Sequence, residues 1–128
     1  MKGIYQLVLL FIALMFNSCL NGWERDVVGY YEIQRSALPD SLQSPTYDFP
    51  ALTLNKDKTF KLAFKNYTKT GEWRAYDGDD WIIVEFKMEG SEIQGMAGVN
   101  HISILNPYQF NCPFVKNRMM PYERISKK

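Results

Sequence analysis

Histidine is almost missing from this chain of 128 residues, which holds one, His101, and two cysteines, Cys19 and Cys112. One imidazole and two thiols cannot build a closed zinc site without carboxylates from elsewhere, so no metal and no cofactor is expected. The one thiol-imidazole combination between late residues, Cys112 with His101, lacks what activates a nucleophile: a glycine elbow, a helix N-terminus to lower the thiol pKa, or an orienting third group. A surplus of charge is missing too, with 15 Lys and Arg against 14 Asp and Glu. Nucleic-acid binders and polybasic membrane binders need clustered Lys and Arg, so both classes are set aside. The acidic cluster Asp77-Gly78-Asp79-Asp80 does not continue as an EF-hand, because the twelfth position from Asp77 is Met88 instead of Glu. It reads as a solvated hairpin turn. Glu72 and Glu85 are placed to point outward from strands, so neither stands out as half of a hydrolytic carboxylate pair. Taken together, no enzymatic activity is expected.

Long apolar runs are scarce as well. The longest, over residues 7–16, follows Lys2 and precedes small and polar residues. It is half the length of roughly 20 residues that a membrane-crossing helix needs, and the layout is that of a secretory signal. Phe16-Asn17-Ser18-Cys19 resembles the lipobox of bacterial lipoproteins, with small Ser18 directly before the cysteine and Phe16 where Leu is usual. The resemblance implies that residues 1–18 are removed and that Cys19 becomes the lipid-bearing first residue of the mature chain. Acyl chains contribute roughly 0.8 kcal/mol per buried methylene, so such a protein is anchored without spanning. The expected location is the cell envelope, across the inner membrane and on the outer one. Cys112 is then left without a disulfide partner and reads as a small buried hydrophobe among aromatics.

Residues 19–26 read as the lipidated cysteine and a polar linker, in which Trp23 either caps the core or touches lipid headgroups. Residues 27–126 read as one all-β domain. Alternation first appears at 27–34, with Val27, Gly29, Tyr31 and Ile33 on the inner face; Gly29 inside a strand marks a bend or close backbone approach. Residues 35–50 hold Pro39, Pro45 and Pro50 and no strand period. A loop of that length is a lid or a passive excursion. Leu52 and Leu54, the turn Asn55-Lys56-Asp57-Lys58, and Phe60, Leu62 and Phe64 form a hairpin. Trp73 and Ala75, then Ile82, Val84 and Phe86, then Ile102 and Ile104, mark further inner faces. Residues 88–100, with their glycines, give one short or irregular strand at best. Residues 108–114 read as a strand carrying Phe110, Cys112 and Phe114, and 120–125 as the closing strand. About eight short strands joined mostly by hairpins suit a single antiparallel, up-and-down barrel better than a sandwich. No segment carries an apolar period of 3.6 over three turns, so no substantial helix is expected in this domain.

Val28-Gly29-Tyr30-Tyr31-Glu32, Gly71-Glu72-Trp73-Arg74, Trp81-Ile82-Ile83 and Tyr122-Glu123-Arg124-Ile125 resemble the lipocalin-like small barrels of bacterial lipoproteins. In lipocalins an aromatic two residues after a strand-one glycine packs on an arginine near the end of the barrel. The resemblance implies that Tyr31 and Arg124 are this pair, with Tyr in place of the usual Trp. It also implies a barrel able to hold a small apolar molecule, for which Tyr31, Trp73, Phe86 and Phe110 are the candidate contacts. An eight-stranded barrel is just wide enough either for one small ligand or for its own side chains. The two expectations are therefore a ligand-holding envelope protein and a filled barrel that contacts an envelope protein through exposed Tyr30, Tyr76 or Trp81.

Overall fold

The computed structural model describes residues 20–105 and 119–127. The signal segment, Cys19 and the expected strand at 108–114, with Phe110 and Cys112, lie outside the described residues.

Eight strands form one closed barrel in chain order, each antiparallel to the next. They are β1 (Gly29–Ile33), β2 (Ala51–Leu54), β3 (Thr59–Ala63), β4 (Thr68–Asp77), β5 (Ile82–Met88), β6 (Ser91–Gly98), β7 (His101–Leu105) and β8 (Met119–Ser126). β8 returns to β1, with Tyr31 opposite Arg124 and Ile33 opposite Tyr122, and the register shifts between Tyr30 and Tyr31. Closure leaves no long free edge, which protects a small sheet from pairing with other chains. The up-and-down barrel expected from the alternation is the fold observed.

The alternation sends Tyr31, Leu52, Leu54, Phe60, Leu62, Trp73, Val84, Phe86, Ile102, Ile104, Met120 and Tyr122 into one core. Each large apolar side chain buried this way contributes roughly 1.5–3 kcal/mol. Gly29 has φ +152°, and a Cβ there would sit 2.5 Å from the carbonyl oxygen of Ser126, so the expected close approach is the β1–β8 seam itself.

Two expectations change. The expected linker is a helix over Gly22–Val27, here α1, so Val27 ends a helix instead of opening a strand. Its start is fixed by a capping box: the Asn21 side chain accepts from the Glu24 N–H, and the Glu24 carboxylate accepts from the Asn21 N–H. Residues 91–98 are also a full strand, paired with β5 from Ile82↔Ala97 to Met88↔Ser91. Its inward positions are Ile93, Gly95 and Ala97. Two of those three are small, so the hydrophobic alternation that betrays a half-buried strand is faint there although the geometry is regular.

Strand direction sorts the connections. α1, the turns at 55–58, 78–81 and 99–100, and the end of β8 lie at one end, the lower; the loop at 34–50 lies at the upper end.

Candidate functional site

Three of the four expected ligand contacts fall within the described residues, and all three face the core. Trp73 and Phe86 are directly opposite one another across β4 and β5. Phe86 meets Phe60 edge to face with centroids 5.3 Å apart, a favoured aromatic geometry. The Trp73 indole N–H donates to the Asn55 carbonyl at 3.0 Å. Tyr31, on β1, donates its hydroxyl to the Val27 carbonyl at 2.6 Å. Burial pushes the Tyr31 phenol up to about 12, against the opposing pull of the nearby Arg124 charge. Both polar tips are thus spent on backbone carbonyls at the lower end, and the rings fill the space between.

That end is closed by two devices. Arg124 on β8 donates to the carbonyls of Asp26 (2.7 Å) and Val28 (3.2 Å) and, through Nε and Nη2, to the Asn100 side chain. Its guanidinium lies 5.9 Å from the centre of the Tyr31 ring, so the expected aromatic-arginine pair is in contact. The second device is Glu24, which sequence reasoning missed although the Asn21-x-x-Glu24 spacing signals a capping box. It is 1 % exposed. One carboxylate oxygen meets Lys58 Nζ at 3.2 Å, and the other accepts from the Ala75 N–H at 3.3 Å. Asn21 donates to the Ala75 carbonyl at 2.9 Å.

The reason lies in strand lengths. β3 pairs with β4 only as far as Thr59↔Glu72, so β4 overhangs its neighbour. Trp73 N–H reaches the Lys58 carbonyl, and beyond it Asn21 and Glu24 take both backbone groups of Ala75. α1 therefore completes an edge that would otherwise hold unpaired backbone groups.

The upper-end loop is built as a closure too. It contains one-turn 3-10 helices at Arg35–Ala37 and Asp40–Leu42. Leu38, Leu42 and Phe49 join the core. Arg35 ties the loop together, donating to the Ser44 and Tyr47 carbonyls at 3.1 Å each, with its guanidinium 5.0 Å from the Phe49 ring.

The outer surface carries a groove of about 590 Å³ bordered by Asp57, Lys58, Thr59, Glu72, Lys87 and Glu92. Trp73 and Phe86 touch it only from beneath, each being 2 % exposed. Along it the Glu85 carboxylate accepts from Tyr76 Oη at 2.7 Å and from Arg74 Nε. Those bonds, Tyr76 first, hold the Glu85 carboxyl below its usual range and raise the Tyr76 phenol. Tyr76 and Trp81 are exposed, whereas Tyr30 is half-buried with its hydroxyl on Glu32. His101 is exposed, its Nδ1 at 3.0 Å from the Val99 carbonyl. Among the described residues no three His, Cys, Asp or Glu side chains come together as a metal-holding group.

Comparison with protein-family models, curated proteins and solved structures finds no match.

Proposed function

We propose that this protein is a lipid-anchored, non-enzymatic binding module of the cell envelope whose barrel is filled by its own side chains and which acts on an envelope protein through its outer face. The observation that carries this reading is the employment of Tyr31, Trp73 and Phe86. The first two have their polar atoms bonded to Val27 and Asn55, and the third is packed on Phe60. A ligand in their place would have to break those bonds and displace close-packed rings, whose contacts are lost once a gap opens. The buried Leu38, Leu42 and Phe49 at the upper end support the same reading. The outer groove, with carboxylates and cations side by side, suits a polypeptide segment carrying both signs of charge. The anchor rests on Phe16-Asn17-Ser18-Cys19.

Cross-linking in cells, paired with native mass spectrometry of the mature protein purified from them, tests both halves. A bare protein mass together with a reproducible cross-link to one envelope protein is the expected result. A small-molecule mass that survives purification would replace the filled barrel with the ligand-holding one, and recovery of monomer alone would remove the partner. A Cys19→Ala variant should leave the membrane fraction.

A further inference from the structure

Trp23, Trp81 and Val99 are far apart in sequence, and each is exposed: 42 %, 52 % and 86 % respectively. The fold brings them to one hollow of about 400 Å³ at the lower end, shared by α1, the turn before β5 and the turn between β6 and β7. Two exposed indoles and an exposed valine lining one hollow leave apolar surface to water, and indole is the side chain that prefers the boundary between headgroups and acyl chains.

What covers this rim follows from where the chain enters. Trp23 lies four residues after Cys19. A fully extended stretch of that length spans at most about 14 Å, so a lipid on Cys19 keeps the rim within reach of the bilayer surface at high effective concentration. The charges around the hollow fit an uncharged or zwitterionic surface. Arg25, Arg124 and Lys127 are interspersed with Asp26, Asp77, Asp79 and Asp80, nearly balanced, so neither strong attraction to nor repulsion from anionic lipid is built in.

Resting on the lipid-anchor reading above, we propose that the Trp23–Trp81–Val99 rim lies on the headgroup layer of a zwitterionic bilayer and fixes the orientation of the barrel. The upper end, with the loop at 34–50, then points away from the membrane, and the outer groove, which runs from Asp57 and Lys58 of the lower-end turn to Glu92 on β6, lies on the side of the barrel, open to a partner.

The test uses the full chain, expressed in bacteria that process lipoproteins and reconstituted in phosphatidylethanolamine and phosphatidylcholine vesicles with bromine on the shallow part of the acyl chains. The protein has three tryptophans, and Trp73 is buried in the barrel, so Trp23 and Trp81 report contact with lipid. Brominated lipid should quench the wild type, quench each of Trp23→Phe and Trp81→Phe less, and leave the double variant unquenched at an unchanged urea midpoint. Quenching should persist as salt is raised. Vesicle-bound protein whose emission ignores brominated lipid overturns the orientation while leaving the anchor intact. If that emission instead shifts with added envelope protein or with rising protein density, the rim belongs to a protein partner or a second copy, and the proposal is equally overturned. Protein that does not float with vesicles removes the anchor and the rim contact with it.

Discussion

The guanidinium of Arg124 sits 5.9 Å from the ring of Tyr31 while its N–H groups reach the carbonyls of Asp26 and Val28 and the side chain of Asn100. One side chain on the last strand thereby ties together the first strand, the end of α1 and the turn before β7. Asn100, with φ 58° in that turn, is held twice by Arg124, its side chain accepting from the guanidinium and its own carbonyl from the Arg124 backbone N–H at 2.8 Å. The arrangement seals the lower end where the first and last strands meet.

Arg124→Ala should therefore destabilise the fold by about 1–3 kcal/mol, because it leaves the part-buried Val28 carbonyl without its donor and removes a charge from an aromatic face, while the exposed Asp26 carbonyl turns to water. Urea unfolding followed by far-ultraviolet circular dichroism measures it. Arg124→Lys should recover less than half of the loss, since an ammonium cannot offer the planar fork that reaches carbonyls and Asn100 together. Full recovery by lysine would mean that charge alone matters there.

Glu24→Ala should cost about 2–3 kcal/mol, because it removes the acceptor of two backbone N–H groups at the contact of α1 with β4. The change leaves the N–H groups of Asn21 and Ala75 without their acceptor and Lys58 without its counter-ion. Lys58→Ala should also destabilise the fold, because Glu24 is 1 % exposed and its carboxylate keeps its two N–H donors but loses its counter-ion. A double-mutant cycle in urea unfolding separates the ion pair from the capping role, and a Glu24→Ala loss that vanishes in the Lys58→Ala background would contradict the assignment of Glu24 as the latch of α1 onto β4.

Alkaline pH should unfold the protein through its buried phenols. Burial raises Tyr31 from 10.0 to about 12 and raises Tyr122 further still. A raised folded-state pKa means that the native state keeps a proton which the unfolded chain has released, so its stabilising contribution is complete below pH 10 and falls as pH rises from 10 toward 12. Absorbance at 295 nm should show exposed tyrosines ionising first and the remainder appearing together with the loss of circular dichroism. Ionisation of every tyrosine near its ordinary value with the fold intact would show that these two rings reach water.

The sequence by itself determined the barrel. A period of two is a local property, visible in Leu52 to Phe64 and in Val84 with Phe86 without knowledge of any partner strand, whereas the Tyr31–Arg124 pair was implied only by the resemblance to lipocalin-like barrels. β6 was obscured for an equally local reason, since small Gly95 and Ala97 occupy inward positions that elsewhere hold large rings. Other features depend on where strands end relative to one another, which no window of sequence contains. The overhang of β4 beyond β3 turned a polar segment into a docked helix and buried Glu24. Likewise Trp23, Trp81 and Val99 are isolated exposed residues until barrel closure gathers three lower-end segments into one rim. Alternation specifies which face of a strand is buried; only closure specifies which ends meet.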